Sequence, residues 1–139
     1  MCLVIDHNLN MKMAKLYLNN NVTSVIFFKI VYENIKTKKL YPLLQHNNFK
    51  SEIHSSNTIK TPDNHNSIIL EKNCFHLYTN IDSAKEFLNI SFNSDYYKQQ
   101  YFVIQKLISC KVNVQDILSF GFGHEVAVKK YQILKILKN

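Results

Sequence analysis

The run from Val22 to Glu33 constrains the fold more than any other part of this chain. It reads Val-Thr-Ser-Val-Ile-Phe-Phe-Lys-Ile-Val-Tyr-Glu and is rich in β-branched and aromatic residues, which favour strands with packed neighbours. The run therefore predicts a strand in the middle of a sheet. Lys29 interrupts its apolar stretch, which is also too short to span a membrane, so no membrane partner is expected.

A strand followed by a helix is predicted further along the chain. Cys74–Tyr78 predicts a short strand. Ile81, Ala84 and Leu88 then recur at the three-and-four spacing that places side chains on one buried face of a helix. The Thr-Asn pair before Ile81 can cap that helix, because either side chain can accept a hydrogen bond from its first turn. The helix is expected to pack on the sheet.

The remaining segments predict more strands than helices. Strands are predicted at Met1–Ile5, Ser67–Glu71, Phe102–Val112 and within residues 113–123, with a basic turn over 34–42 and either a helix or a strand at Met11–Leu18. The segment Glu125–Leu137 fits a helix almost as well as a strand, and a strand is favoured at Tyr131–Leu137. The predicted fold class is α+β: a mostly antiparallel sheet of five to seven strands with one or two helices on one face.

A single domain over residues 1–139 is expected, with a polar loop or flap at about residues 43–66. In that segment the composition shifts toward His, Asn, Ser, Thr and Lys. Long loops in compact domains are often functional, so the flap is a candidate for binding a partner. The chain has only two glycines and two prolines, so asparagine is expected to form turns, as at Asn19-Asn20-Asn21.

The net charge is +7, and all 17 basic residues are lysine. A basic surface attracts RNA or an acidic protein, but arginine is the residue that grips phosphates and guanine edges with two aligned donors. Sequence-specific base reading is therefore not expected. The same enrichment in Lys, Asn and Ile also fits AT-rich coding bias without a polyanionic partner. The predicted contact lysines are Lys36, Lys38, Lys39, Lys50 and Lys60.

The three cysteines, Cys2, Cys74 and Cys110, show no paired spacing, which is typical of free thiols in a reducing cytoplasm. On a strand Cys74 and His76 share a face, so they could bind zinc or form a nucleophile and its base. No third ligand lies at a zinc-site spacing, and no oxyanion hole is apparent. A half-buried thiol beside a hydrogen-bonded histidine is favoured, and no metal and no cofactor are predicted.

Removal of the initiator methionine would leave Cys2 at the amino terminus, the nucleophile arrangement of class II glutamine amidotransferases. Those enzymes carry Gly-rich and Arg-containing loops, which two glycines and no arginine cannot supply. This alternative is therefore disfavoured.

Several short patterns occur together: a Met-Cys-Leu start, the Phe75-His76 strand followed by a helix, Cys110-Lys111-Val112 at a strand end, and Glu125-Val126-Ala127-Val128. Together they resemble small phage and prophage proteins of unknown function. In those proteins the strand carries Gly-Phe-His, and Cys74 stands here in place of the glycine. The resemblance implies an anti-defence protein of the anti-CRISPR type.

The order of elements is also similar to that of a minimal ADP-ribosyltransferase, with a first strand, an aromatic residue before a helix and a glutamate near the last strand. By that resemblance Tyr78 would lie against nicotinamide and Glu125 would activate the acceptor, in a centre that includes His76. The Arg or His that holds the cofactor in that family is missing from Val25–Tyr32.

Two function classes follow. The first is a non-enzymatic interaction protein of phage type, which acts in the bacterial cytoplasm and inhibits a host protein or ribonucleoprotein through a lysine-rich face, with possible RNA contact. The second is a small ADP-ribosyltransferase-like or other transferase centred on His76, Tyr78 and Glu125. The sequence contains no complete catalytic set, which favours the first class.

Overall fold

The structure, a computed structural model, describes residues 3–42, 69–70, 75–90 and 102–137. This part of the chain forms an antiparallel sheet of seven strands, a separate two-stranded sheet and two helices. The elements are β1 Leu3–Val4, α1 His7–Asn19, β2 Ser24–Asn34, β3 Leu40–Pro42, β4 Ile69–Leu70, β5 Phe75–Tyr78, α2 Ile81–Ile90, β6 Val103–Asn113, β7 Ile117–Phe120, β8 Glu125–Val128 and β9 Gln132–Leu137. The predicted α+β class is confirmed.

The strand β2 lies at the centre of the larger sheet, as its composition predicts. The strand order is β7-β8-β5-β2-β6-β9, and β3 also pairs with β2. The pairing of β2 with β6 runs from Ser24 opposite Asn113 to Asn34 opposite Val103. Antiparallel pairing over the full strand fixes which side chains share each face.

The two helices pack against opposite faces of the sheet, a detail that differs from the expected placement on one face. Side chains alternate along a strand, so Phe27 and Val31 of β2 point one way and Ile30 points the other. α1 packs on the buried cluster that contains Phe27 and Val31. α2 packs through Ala84 on the cluster that contains Ile30 and Tyr78.

The segment that fits either helix or strand in sequence is the helix α1. Asp6 caps it, since its side chain accepts a hydrogen bond from the Leu9 amide at 3.1 Å, and such a cap satisfies a donor that the first turn leaves unpaired. Its packed side chains, Leu9, Met13 and Tyr17, recur every four residues and so share one face. The helix ends at the predicted asparagine turn, where Asn21 has a φ of 53°.

A hairpin replaces part of the basic turn predicted over residues 34–42. Leu40–Pro42 form β3 and pair with Val31–Glu33 of β2, so the turn is confined to the residues between the two strands. The proline is compatible with this assignment because β3 pairs on one side only in the described structure, and an edge strand tolerates a missing donor.

The amino-terminal strand closes against the turn between β7 and β8. Leu3 is buried, Ile5 bridges to Gly121, and the Phe122 amide donates to the Val4 carbonyl at 3.1 Å. A Cβ atom on Gly121 would lie 2.6 Å from Leu3 Cγ, which is too close for a real contact. This close approach is the reason that the first glycine of the Gly-Phe-Gly turn is needed.

The predicted flap at 43–66 lies outside the described residues, as do Cys2, Lys50, Lys60 and Cys74. Neither helix in the described ranges combines the length and the apolar composition that crossing a membrane requires.

Candidate functional site

The structure brings together the three residues that the transferase alternative names. Tyr78 and Glu125 are register partners in the pairing of β5 with β8, and His76 lies two residues before Tyr78 on the same face. The His76 Nε2 atom is 3.3 Å from Glu125 Oε1, and the rings of His76 and Tyr78 meet edge to face with centroids 5.1 Å apart. We call these three residues the histidine cluster.

Burial limits what the histidine cluster can do chemically. Tyr78 is 6% exposed, and burial, with a smaller effect of the Glu125 charge, raises the pKa of its hydroxyl to about 12. A phenol with this pKa stays protonated at neutral pH, so it does not serve as a base. The His76 Nε2 atom is buried, and among the described residues it has no aligned hydrogen-bond partner despite its distance to Glu125.

The side chain of Lys29 links β2 to β5 next to the point where the two strands pair. Phe28 and Tyr78 are register partners between these strands. One residue further along β2, the Lys29 Nζ atom donates a hydrogen bond to the His76 carbonyl at 2.9 Å. Lys29 therefore holds the backbone of the histidine cluster in position, which is a structural role for a charged residue in the central strand.

α2 covers the face of the sheet that carries Tyr78. The helix begins where predicted, since the Asp82 amide donates to Asn80 Oδ1 at 2.7 Å and Asn80 is the capping residue. Ala84 is fully buried against the cluster that contains Tyr78, and Ile81 and Leu88 pack beside it. The phenol is thus part of the core beneath α2.

Three of the predicted contact lysines lie together at the turn of the β2–β3 hairpin. Lys36, Lys38 and Lys39 are all exposed. Asn34 shapes this turn, because its Oδ1 accepts hydrogen bonds from the Lys36 amide at 2.9 Å and the Thr37 amide at 3.0 Å. Such a bonded turn gives the lysine backbones a defined arrangement.

An aromatic residue that sequence reasoning did not select stands beside these lysines. Phe102 is 49% exposed, and its φ is 57°, a left-handed conformation that is rare for a bulky side chain. Its carbonyl accepts the Ile35 amide at 2.8 Å, and the Lys36 Nζ atom lies 4.1 Å from its ring centroid. We call Lys36, Lys38, Lys39 and Phe102 the hairpin tip.

The thiol chemistry considered for Cys74 and His76 is not placed in the described structure, because Cys74 lies outside it. Cys110 is buried, and burial raises the pKa of its thiol to about 12, so it carries no thiolate at neutral pH. In the described ranges no three His, Cys, Asp or Glu side chains are grouped to hold a metal ion.

No family model matches this chain, and neither a curated protein nor a solved structure matches it.

Proposed function

We propose that this chain is a non-enzymatic interaction protein that binds a ribonucleoprotein by contacting its RNA at the hairpin tip. The observation that carries the proposal is Phe102, an exposed aromatic ring in a left-handed conformation with an ammonium group over it. Backbone conformations of this kind persist where the surrounding structure enforces them, and they occur often at ligand-binding positions.

The composition of the hairpin tip suits single-stranded RNA. Lysine ammonium groups follow the phosphates, while an exposed aromatic ring offers a surface on which a base can stack. Both contacts tolerate any sequence. The absence of arginine from the chain agrees with this mode, since arginine is the usual residue for reading guanine edges.

The wider role in this proposal is that of a phage-type inhibitor. The protein would act in the cytoplasm of a bacterial host, as anti-CRISPR and other anti-defence proteins do, and would block a ribonucleoprotein by occupying it. Inhibition by occupancy requires about one protein molecule for each target molecule. It does not require the histidine cluster to react.

Titration of a labelled single-stranded RNA, followed by fluorescence anisotropy, tests the RNA contact. Replacing Lys36, Lys38 and Lys39 by glutamine should weaken binding about tenfold or more at low salt, because three phosphate contacts are lost. The matched control replaces Lys12, Lys15 and Lys135, which are equally exposed and remove the same charge. No binding at low salt, or equal losses in both variants, would remove the hairpin tip as an RNA site.

The geometry of the histidine cluster favours a second candidate, a transferase that uses NAD⁺. His76, Tyr78 and Glu125 do come together, with 3.3 Å between His76 Nε2 and Glu125 Oε1. A glutamate in such a position can stabilise positive charge that develops at a reacting centre. The buried phenol and the helix that covers it make this candidate weaker than the first.

Incubation with NAD⁺, followed by chromatographic detection of released nicotinamide, separates the two candidates. A transferase should release nicotinamide, and Glu125→Gln should abolish the release while Glu86→Gln, an exposed residue of α2, leaves it intact. No release from the wild-type protein, or release that Glu125→Gln retains, counts against the transferase.

A further inference from the structure

A cavity of about 760 Å³ lies between α1 and the first residues of β2. This volume is within the range of 300–1,000 Å³ typical of sites for small organic ligands. The cavity is separate from the residues of the histidine cluster and the hairpin tip, since none of them lines it in the described structure.

The cavity exists because the sheet opens at this end. In the described residues Ser24–Phe27 pair with β6 on one side and with no strand on the other. β5 ends at Tyr78, and the chain turns away into α2. α1 crosses the opening on one face of the sheet, and an open cleft remains between the helix and the strand.

The walls of the cavity are apolar. They include the α1 side chains that pack on the core and the aromatic residues opposite them, where the rings of Tyr17 and Phe120 lie 6.3 Å apart and those of Phe27 and Phe120 lie 6.1 Å apart. Apolar walls of this kind bind a hydrocarbon group by removing its surface from water. The wall residues central to this argument are Leu9, Met13, Tyr17, Val25, Phe27 and Phe120.

The polar lining has one sign of charge. Lys111 and His124 line the cavity, and both are exposed residues. The cavity reaches both faces of the sheet past the open edge of β2, and Lys111, the register partner of Ile26, lies on the face opposite α1. No aspartate or glutamate of the described chain lines it. A lysine ammonium beside an apolar space is complementary to a ligand that has a hydrocarbon body and an anionic head.

We propose that this cavity binds an apolar carboxylate of the fatty-acid class. The hydrocarbon chain lies between α1 and β2, and the carboxylate passes the unpaired edge of β2 to reach the Lys111 ammonium on the other face of the sheet. A carboxylate is favoured over an uncharged lipid because of the lysine. It is favoured over an extended peptide on the open edge of β2 because strand pairing uses the uncharged peptide backbone, which gives the lysine no anionic partner.

Methionine-methyl NMR on the full chain provides a direct test with decanoate as the probe, used below the concentration at which it forms micelles. Met13 lines the cavity, whereas Met11, two residues earlier on α1, does not and is exposed. Decanoate should shift the Met13 methyl signal in a saturable way and leave the Met11 signal in place. A shift of both signals, or of neither, would overturn the proposal.

Two variants, one control variant and one matched ligand test the assigned roles. Decan-1-ol has the same hydrocarbon chain without the charge, and it should bind about two- to fivefold more weakly than decanoate, as expected for one partly solvated ion pair. Lys111→Gln should abolish that difference, whereas Lys135→Gln, also exposed, should preserve it. Ser24→Phe, which places a ring in the cavity, should weaken both ligands.

Several results would contradict the proposal. Decanoate affinity unchanged by both Lys111→Gln and Ser24→Phe would place the ligand elsewhere. If Ser24→Phe fails to fold, the comparison of Met13 with Met11 in the wild-type protein still decides the site. Binding of an uncharged peptide of alternating valine and threonine, without binding of decanoate, would identify the open edge of β2 as a strand-addition site instead.

Discussion

At the scale of single residues, the backbone identifies an unusual position that the sequence pattern does not. Asn21, Lys38, Phe102 and His124 have positive φ values. Asparagine accepts this conformation readily, whereas for a residue with a bulky side chain it costs roughly 1–2 kcal/mol. Phe102 keeps the positive φ because its carbonyl accepts a hydrogen bond from the Ile35 amide. The strained residue is thus fixed by the same hairpin that carries the exposed lysines.

Phe102→Gly should therefore separate stability from binding. Glycine accepts a positive φ without strain, so the free energy of unfolding in urea should stay the same or rise by about 1 kcal/mol. The RNA affinity should fall about 5- to 150-fold, because the stacking of one base on an aromatic side chain contributes roughly 1–3 kcal/mol. Phe122→Gly removes another exposed ring and should leave RNA affinity unchanged. Full affinity in Phe102→Gly would contradict the stacking role.

At the scale of elements, one side chain joins α1 to β7. The Asn10 side chain donates to the Phe120 carbonyl at 2.9 Å and accepts from the Phe120 amide at 2.8 Å. It also donates to Ser119 Oγ at 3.2 Å. The amide thus takes the place of a neighbouring strand at the edge of β7, and it satisfies backbone groups that α1 partly covers.

Asn10→Ala should lower the free energy of unfolding by about 1–3 kcal/mol, since it leaves the partly buried Phe120 amide without its hydrogen-bond partner. The Phe120 carbonyl keeps the hydrogen bond from the Asp6 amide. The Phe120 amide should also exchange its hydrogen faster. Asn8→Ala, an exposed change on the same helix, should stay within about 0.5 kcal/mol of wild type. Equal effects of the two changes would show that the Asn10 side chain does not hold α1 in place.

Most elements of this fold could be predicted from the sequence, because their signals are local. The composition of Val22–Glu33 identified β2, and the spacing of Ile81 and Leu88 identified α2. β3 was missed because its three residues, Leu40–Pro42, form a strand only through pairing with β2. α1 remained ambiguous since its apolar residues, including Leu9, are half-buried and the periodicity is weak.

The candidate sites were less predictable than the fold. That Tyr78 and Glu125 stand opposite each other follows from the pairing of β5 with β8, and a sequence does not fix long-range register by itself. The backbone conformation of Phe102 has no sequence signal. The lysine turn was predictable, because its charge and its position after a strong strand are local features.

At the scale of the whole molecule, burial opposes the ionisation of a thiol and of tyrosine hydroxyls in the sheet. Burial raises the pKa of Cys110 from 9.0 to about 12 and that of Tyr78 from 10.0 to about 12. Burial also raises the pKa of Tyr131. The folded protein therefore holds these protons at pH values where the unfolded chain has released them, so the free energy of unfolding falls as the pH rises above 9.

Between pH 9 and pH 10 the largest contribution should come from Cys110, whose unfolded pKa is the lowest of the three. The free energy of unfolding should fall by about 1 kcal/mol over this interval through this thiol alone. Urea unfolding at both pH values measures this change in the free energy of unfolding. Cys110→Ala should be less stable throughout but should lose about 1 kcal/mol less over the interval. The same pH dependence in both proteins would exclude the thiol as the cause.

The described carboxylates are unevenly distributed over the molecule. Asp6 caps α1, Glu33 and Asp116 are buried, and Glu125 faces His76. Exposed acidic residues in the described structure are concentrated on α2. A polyanion is therefore expected to approach from the hairpin tip and not across α2, since long-range attraction follows the net field of the surface.

The salt dependence of RNA binding measures how many lysines take part. For single-stranded RNA the logarithm of the affinity should fall with the logarithm of the salt concentration, with a slope of about −0.7 for each phosphate contact. Replacing Lys36, Lys38 and Lys39 by glutamine should make that slope less steep by about 2. Replacing Lys12, Lys15 and Lys135 should weaken binding slightly and leave the slope unchanged, because those lysines attract the RNA without touching it. A slope that changes equally in both variants would mean that the RNA moves over the whole basic surface and has no site at the hairpin tip.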